Sequence, residues 1–298
     1  MPSPLISVII PTYNRPGLLE RAVRSVVEQQ YTMWELIVVD DGSPNPVSIP
    51  PFAGMPAIRV VRQQNSGPGA ARKLGAARAQ GELLCFLDDD DYYFPQHLQR
   101  LATAYQGADR LYVSGMCIES NDGTVQQSSD YSSRQPFLAQ YWDRPVSLLP
   151  FAIPREVVQA VPLITRPSPI EDFEWIVRLL ARYPLTVMAE RTVVYVQHQT
   201  NRTNLLVRRT DLAARERAIT ELYALPEVAA QISAVQYLKQ LTHQRLHWTR
   251  QCLRAGQWSE AGYGMRRSLK HVGSHSLREL VYTLLVAWRT YCSQKRPT

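Results

Sequence analysis

Short apolar runs alternate with amphipathic segments along the first hundred residues, and this alternation limits the possible folds more than any other feature. The runs are rich in Ile, Val and Leu and occupy residues 5–10, 36–39, 58–61 and 83–87. Between them, residues 17–29 and 68–80 carry apolar or small side chains at helical spacing. Uniformly apolar strands that alternate with helices are typical of a parallel sheet that is buried on both faces. We therefore predict an α/β domain with a Rossmann-like, mostly parallel central sheet flanked by helices.

The pattern changes twice further along the chain. Residues 111–119 and 185–196 read as strands, and 171–183 read as a helix. Residues 120–135 are polar, and the proline-rich segment 136–170 predicts irregular structure. From residue 210 onward the spacing of apolar residues is helical almost throughout. Because composition and periodicity both change near this point, we predict two domains, residues 1–205 and a helical appendage at 206–298.

The positive charge of the chain is concentrated in its last third. Residues 1–204 carry 18 Lys and Arg against 20 Asp and Glu, whereas residues 205–298 carry 15 against 6, a net charge of +9. Such asymmetry predicts an anionic partner for the C-terminal region. No motif of a nucleic-acid-binding protein is present, so we do not expect nucleic acid.

An anionic membrane surface is the alternative partner, and residues 277–289, LRELVYTLLVAWR, are the segment of interest. They would form either an interfacial helix, with Tyr282 and Trp288 at the headgroup level, or a helix that packs on the N-terminal α/β domain. The apolar run inside this segment is far shorter than the ~20 residues that a membrane span needs. The N-terminus lacks the basic and apolar regions of a signal peptide. We expect a cytoplasmic protein that contacts the inner face of the membrane only peripherally.

Polar clusters follow three of the predicted strands at the point where each strand ends. These clusters are PTYNR at 11–15, DDGS at 40–43 and the four carboxylates at 88–91. In open α/β sheets, ligands bind beyond the carboxyl ends of the strands, so the clusters are expected to converge on one crevice. Four adjacent carboxylates repel one another, and a divalent cation bound by their oxygens would offset that repulsion.

Together with NSGPGAARKLG at 65–75 and FLDDDD at 86–91, these clusters resemble the family 2 nucleotide-diphospho-sugar glycosyltransferases, which have the GT-A fold. The resemblance covers about residues 5–205 and includes Glu171-Asp172 followed by His198. It implies inverting transfer of a sugar from a nucleotide-diphosphate donor, expected to be a UDP-sugar. The implied acceptor is a hydroxyl of a saccharide or a lipid-linked molecule, in cell-surface polysaccharide synthesis.

The resemblance also implies how the donor is bound. Tyr13 would stack on the nucleotide base, and Asp41, supported by Asp40, would accept a hydrogen bond from the base. Gly67 would let the backbone approach the donor closely. For each of these side chains a structural role, as a packing aromatic or a turn carboxylate, is the alternative. The implied donor-binding residues are Pro11, Thr12, Tyr13, Arg15, Asp40, Asp41, Gly67, Arg72, Asp88 and Asp89.

The DxD motif of the family falls on Asp88-Asp89-Asp90, where hard oxygen ligands suit Mn²⁺ or Mg²⁺. Asp90 is expected to bind the cation directly, and Asp88 to contact the ribose or a water on the cation. Asp91 either shares that task or caps the segment that follows. His198 is a further candidate ligand of the metal or the diphosphate, with a packed or solvated histidine as the alternative.

An inverting transfer needs a carboxylate that takes the proton of the acceptor hydroxyl. Asp172 matches the base of the family at the start of a helix, and Glu171 is the second candidate. The alternative is that these acids only stabilise the helix through its dipole. Trp142 and Trp175 either stack on an acceptor sugar or belong to the core.

Two other functions stay open at this point. A nucleotidyltransferase would need a basic, Gly-rich loop after the first strand, where PTYNRPGLL has one Gly and one Arg. A catalytically silent nucleotide-sugar-binding protein would use the same carboxylates for structure alone.

Overall fold

A nine-stranded sheet organises the first two thirds of the computed structural model, which describes residues 3–49, 58–127, 136–166, 168–197, 208–269 and 277–294. The strand order is β3-β2-β1-β4-β8-β6-β9-β5, and β7 pairs with β6. The strands β1 to β9 are Ile6–Thr12, Trp34–Asp40, Ile58–Arg62, Leu83–Phe86, Tyr92–Tyr93, Leu111–Glu119, Val125–Gln127, Phe151–Pro154 and Leu185–Val196. The helices α1 to α11 are Pro16–Val27, Pro68–Arg78, His97–Ala104, Phe137–Asp143, Arg155–Ala160, Glu171–Leu180, Arg209–Tyr223, Pro226–Ala229, Ala234–Arg254, Trp258–Leu269 and Leu277–Gln294.

The half of the sheet that contains β3, β2, β1 and β4 is entirely parallel. Every residue of β1 and β2 is buried, which explains their unbroken apolar sequences. On one face, Val8 and Ile10 pack with Leu19 and Val23 of α1 in the main core. The predicted α/β class and its central sheet are therefore confirmed.

The other half of the sheet is mixed. Strand β8 is antiparallel to β4 and β6, β5 is antiparallel to β9, and β6 and β9 are parallel. The prediction of irregular structure across 136–170 is wrong, because this segment contains α4, β8 and α5. Pro154 ends β8 and precedes α5, so it lies at a boundary where no backbone N–H is needed. The predicted loop 120–135 contains the short strand β7 in its described part.

Gly75 lies where α2 packs against Ile9 of β1 and Val39 of β2. A Cβ at this position would lie 2.4 Å from Ile9 Cγ2 and 3.2 Å from Val39 Cγ2. Because both contacts come from a close-packed core, we expect Gly75→Ala to lower the free energy of unfolding by about 1–3 kcal/mol. Urea denaturation followed by circular dichroism measures this change.

Gly17→Ala, in the first turn of α1, is the matched control. No described atom lies within 4 Å of a Cβ placed there, so the substitution is expected to leave stability unchanged or raise it by less than about 1 kcal/mol. Equal losses in the two variants would show that close packing at Gly75 is not the cause.

By its contacts, the chain divides into two compact units. The first contains Met1–Phe137, Val146–Pro167 and Glu171–His198, and the second contains Leu138–Pro145, Ser168–Ile170 and Gln199–Thr298. The boundary predicted between residues 205 and 206 lies outside the described residues and stays a prediction.

From residue 208 onward, the described residues of the second unit are almost wholly helical, as the periodicity predicts. Trp248 of α9 is fully buried and packs with Leu212 and Cys252. Glu216 accepts hydrogen bonds from Arg245 Nε at 2.5 Å and Arg267 Nη2 at 2.6 Å, which links α7 to α9 and α10. Among the described helices, we find no candidate for a membrane span.

Candidate functional site

The carboxyl ends of β1 and β4 bring two of the predicted clusters together, because these strands are parallel neighbours. Thr12 Oγ1 donates a hydrogen bond of 2.7 Å to Asp89 Oδ2. Arg15 Nη1 lies 2.9 Å from Asp90 Oδ2 and 3.3 Å from Asp89 Oδ1. The cluster at 11–15 thus contacts the acidic run directly.

Other members of the first cluster differ in exposure. Pro11 is buried within β1, whereas Tyr13 leaves 46% of its surface exposed. Asn14 has a φ of +55°, a conformation that asparagine tolerates better than most residues, and its backbone N–H donates to Ser43 Oγ at 2.9 Å. This turn carries the chain from β1 into α1 and leaves the Tyr13 ring accessible.

The acidic run places its carboxylates in different environments. Asp89 is buried, and this burial raises its pKa to about 6 against the opposing effects of Thr12 and Arg15. Asp91 is also buried and accepts a hydrogen bond of 2.8 Å from the Val196 backbone N–H. Burial and the charge of Asp88 raise the pKa of Asp91 well above its ordinary value.

Asp88, Asp90 and Asp91 form a group that fits a divalent cation. One carboxylate oxygen from each lies within 4.8 Å of the other two, and no other group of this kind exists among the described residues. An all-oxygen, carboxylate-only donor set suits Mg²⁺ or Mn²⁺. A cation there would offset the repulsion between these carboxylates, which adds to burial in raising the pKa of Asp91.

Arg21 of α1 holds the backbone of the acidic run. Its Nη2 donates to the Asp90 carbonyl oxygen at 2.8 Å, and its Nη1 lies 3.3 Å from Glu119 Oε1. The guanidinium also lies 5.1 Å from the centre of the Tyr92 ring, and the Tyr92 hydroxyl donates to Glu119 Oε2 at 2.8 Å. The sequence offers no signal for this arrangement, since an arginine on an amphipathic helix is ordinary.

Asp40 and Asp41 each organise a loop at the end of β2. Asp40 accepts hydrogen bonds from the backbone N–H of Ser43 at 2.8 Å and of Val47 at 3.3 Å. Burial alone would raise the pKa of Asp40, but the hydrogen bonds from Ser43 and Val47 and the charge of Arg62 keep it below its ordinary value.

Asp41 holds the segment that leads into α2. Its Oδ1 accepts from Gln63 Nε2 at 2.7 Å and the Ser66 N–H at 2.8 Å, and its Oδ2 accepts from the Gly67 N–H at 2.8 Å. Gly67 has a φ of +88°, which a glycine adopts without strain. A structural role for both carboxylates is therefore present, and a contact of Asp41 with a nucleotide base stays a prediction.

Arg72 of α2 connects the acidic run to the first turn of α6. Its Nη2 lies 2.7 Å from Asp88 Oδ1, and its Nη1 lies 3.0 Å from Asp172 Oδ1. The arginine side chain is only 5% exposed. Burial would lower its pKa, but the two carboxylates outweigh burial and raise it. The sequence predicts Arg72 as a donor-binding residue, but not that it also contacts the candidate base.

The acids in the first turn of α6 have separate roles. Asp172 is a third exposed, whereas Glu174 is completely buried and forms ion pairs with Arg166 and with Arg178. Glu174 is therefore an interior partner of these two arginines and not an accessible acid. Glu171 lies beside Asp172 at the helix start, where the dipole also favours a carboxylate.

The two tryptophans singled out in the sequence belong to the core. Trp175 is buried and packs edge-on against Phe86, with 5.6 Å between the ring centres. Its Nε1 donates a hydrogen bond of 2.8 Å to the Val161 carbonyl oxygen. Trp142 is fully buried in the second unit and donates to the Gln236 carbonyl oxygen at 3.1 Å. Neither ring is available for stacking on a sugar. His198 lies outside the described residues, so its role as a ligand stays a prediction.

Comparison with known protein families gives a match over about half of the chain's length. The model of "Glycosyl transferase family 2" matches residues 7–154, the segment that supplies β1 to β8 and the acidic run.

Curated relatives resemble part of the chain. An uncharacterized glycosyltransferase of Nostoc sp. is 37% identical over 130 residues, which are 42% of this chain and 40% of the relative. The succinoglycan biosynthesis protein ExoW of Rhizobium meliloti is 39% identical over 114 residues, which are 36% of this chain and 34% of ExoW. The chain thus matches less than half of the length of these two relatives.

Among solved structures, residues 1–349 of S. aureus TarS in complex with UDP-GlcNAc superpose with a TM-score of 0.63. The superposition covers 92% of this chain and 91% of that one, at 14% sequence identity. At this identity the likeness shows a shared fold.

Proposed function

Because residues 7–154 belong to glycosyl transferase family 2, we propose that the protein is a metal-dependent, inverting glycosyltransferase. The chain has the GT-A fold, with helical elements at its C-terminus. It would transfer a sugar from a nucleotide-diphosphate donor, a UDP-sugar, to a hydroxyl of a saccharide or lipid-linked acceptor. The observation that carries this proposal is the double contact of Arg72 with Asp88 and Asp172.

This contact supports the proposal because it joins the two halves of the reaction. The acidic run that contains Asp88 is the region proposed to hold the diphosphate, and Asp172 is the proposed base. Nη atoms of one guanidinium lie 2.7 and 3.0 Å from the two carboxylates, so a departing diphosphate and a deprotonated acceptor would be close neighbours. An in-line displacement requires that proximity.

In the proposed reaction, Asp172 takes the proton from the acceptor hydroxyl as its oxygen forms a bond to the anomeric carbon. The bond between that carbon and the diphosphate oxygen breaks on the opposite face, and the nucleoside diphosphate leaves with the electron pair. Arg15 and Arg72 supply positive charge beside the acidic run. Asp88, Asp90 and Asp91 would hold Mn²⁺ or Mg²⁺, which supplies further charge to offset that of the diphosphate.

The proposed donor rests on the exposed ring of Tyr13 and on the names of similar proteins. Tyr13 offers an exposed ring on which a base can stack. It directly follows β1, and Asp41 directly follows the neighbouring parallel strand β2. TarS, which shares the fold, was solved with UDP-GlcNAc, and this supports a UDP-sugar. The name of ExoW places one relative in succinoglycan biosynthesis, which supports a role in polysaccharide synthesis.

Calorimetric titration of the protein with UDP, GDP, dTDP and CDP, each with and without Mn²⁺, tests this proposal. We expect UDP to bind at least about tenfold more tightly with Mn²⁺ than without it, because a cation held by Asp88, Asp90 and Asp91 would offset the negative charge of the diphosphate. The other three nucleotides are expected to bind more weakly under both conditions. If none of the nucleotides binds, even when a lipid extract is added as a source of acceptor, the proposed donor site is contradicted.

A lipid-linked acceptor would bring the protein to a membrane. We include peripheral contact with an anionic membrane in the proposed function because residues 205–298 carry a net charge of +9.

A further inference from the structure

Helix α11 presents a stripe of apolar side chains to solvent. Val281, Leu284, Leu285 and Trp288 are 49%, 53%, 49% and 65% exposed. Their spacing of three and four residues places them along one face of the helix. We call these four side chains the α11 stripe. Tyr282 beside it is 49% exposed.

The opposite side of α11 packs on the second unit. Thr283 is fully buried and accepts a hydrogen bond of 3.0 Å from Arg250 Nη1 of α9. Val286 and Ala287 pack against the cluster around Trp248. The helix is therefore fixed by one face, and the exposure of the α11 stripe is a property of the folded second unit.

The sequence around the stripe is basic. Residues 277–298 contain Arg278, Arg289, Lys295 and Arg296 against the single acid Glu279. The buried guanidinium of Arg250 on α9 lies 5.4 Å from the centre of the Tyr282 ring and so fixes that ring beside the stripe. An apolar face with aromatic residues and neighbouring positive charge is the combination that binds in the interface of an anionic bilayer.

We propose that α11 docks the protein on an anionic lipid bilayer, with the α11 stripe inserted at the boundary between headgroups and acyl chains. This inference deepens the proposed function by naming the surface that meets the membrane, and it rests on that function for its purpose. A second copy of the chain fits the stripe less well. Four half-exposed side chains fall short of the roughly 800 Å² that each partner buries in a standard interface. Two regions of charge +9 would also repel each other.

Sedimentation with vesicles tests the proposal on the full chain. The vesicles consist of phosphatidylcholine alone or of phosphatidylcholine and phosphatidylglycerol at about 3:1. We expect binding to the anionic vesicles at low salt, little binding to the neutral ones, and weaker binding as salt screens the charges. Leu284→Gln/Leu285→Gln should lower the partition coefficient by about tenfold or more, because it removes half of the stripe.

Val235→Gln/Leu269→Gln is the matched control. These two side chains are 59% and 55% exposed but lie on α9 and α10, outside the stripe. Their replacement should leave vesicle binding within about twofold of the unchanged chain, since they are not part of the docking face. Equal losses in the two double variants would overturn the assignment to α11.

Tryptophan emission reports insertion directly. Trp288 is the most exposed of the described tryptophans, so anionic vesicles should shift the emission to shorter wavelength, and Trp288→Phe should remove most of that shift. Absence of binding to anionic vesicles at low salt would overturn the proposal. So would a dimer, detected by light scattering, that Leu284→Gln/Leu285→Gln converts to a monomer.

Nucleotide titration on the same preparations separates the two proposals. A Leu284→Gln/Leu285→Gln variant that binds UDP normally but has lost vesicle binding supports docking independently of catalysis. Vesicle binding by a protein that binds no nucleotide would leave docking intact and contradict the proposed function.

Discussion

Replacement of Asp172 by Asn is expected to lower sugar transfer by about 10²- to 10⁴-fold, because the variant lacks the proposed base that takes the proton of the acceptor hydroxyl. Asn has nearly the same size, and its side-chain oxygen can still accept the hydrogen bond that Arg72 Nη1 donates to Asp172 at 3.0 Å. The site should therefore keep its shape. Initial rates at saturating donor measure the loss, and UDP titration should give an affinity within about threefold of the unchanged chain.

Glu171→Gln is the control for this substitution. Glu171 lies in the same first turn of α6, so its replacement removes the same charge from the same helix terminus. We expect a loss of less than about tenfold, since the substitution removes a charge that acts on Arg72 and on the helix dipole but leaves the proposed base in place. A large loss in Glu171→Gln together with a small one in Asp172→Asn would assign the base to Glu171. Small losses in both would favour a nucleotide-sugar-binding protein whose carboxylates are structural.

The parallel half of the fold is predictable from the sequence because its strands are buried on both faces. Burial of every residue of β1 and β2 leaves an unbroken run of apolar side chains, and the helices between them have a different period. Strands β5 and β7 have only two and three residues and depend on their partners β9 and β6. Such short strands are specified by pairing with distant residues, and local composition does not reveal them.

The convergence of the site is predictable for a related reason. Clusters at the carboxyl ends of adjacent parallel strands must lie near each other, as Thr12 and Asp89 do. The side-chain pairings inside the site are not predictable in this way. The contact between Arg72 and Asp172 joins residues 100 positions apart, and it depends on how α2 and α6 pack.

The acids of α6 illustrate the same limit at a single turn of helix. Asp172 and Glu174 are two residues apart and both suit a helix N-terminus. Only the tertiary structure separates the buried, ion-paired Glu174 from the accessible Asp172. The family resemblance singled out Asp172, and its exposure and its contact with Arg72 are consistent with the proposed role.

Replacement of Asp90 by Asn is expected to lower turnover by about 100-fold or more and to abolish the effect of Mn²⁺ on UDP affinity. Asp90 contributes an oxygen to the group formed with Asp88 and Asp91, and a neutral amide oxygen is a weaker ligand for a divalent cation. The backbone should stay in place, because Arg21 donates to the Asp90 carbonyl oxygen, which the substitution retains. Titration of activity with Mn²⁺, alongside UDP calorimetry, measures both effects.

Asp109→Asn provides the comparison, since the Asp109 side chain is 73% exposed and pairs with its neighbour Arg110. We expect that variant to match the unchanged chain in turnover and in its response to Mn²⁺. Full activity of Asp90→Asn, or of the unchanged chain after a chelator has removed divalent cations, would contradict the metal site. The carboxylate of Asp90 would then serve chiefly to pair with Arg15, whose Nη1 lies 2.9 Å from Asp90 Oδ2. Positive charge for the diphosphate would come from Arg15 and Arg72 alone.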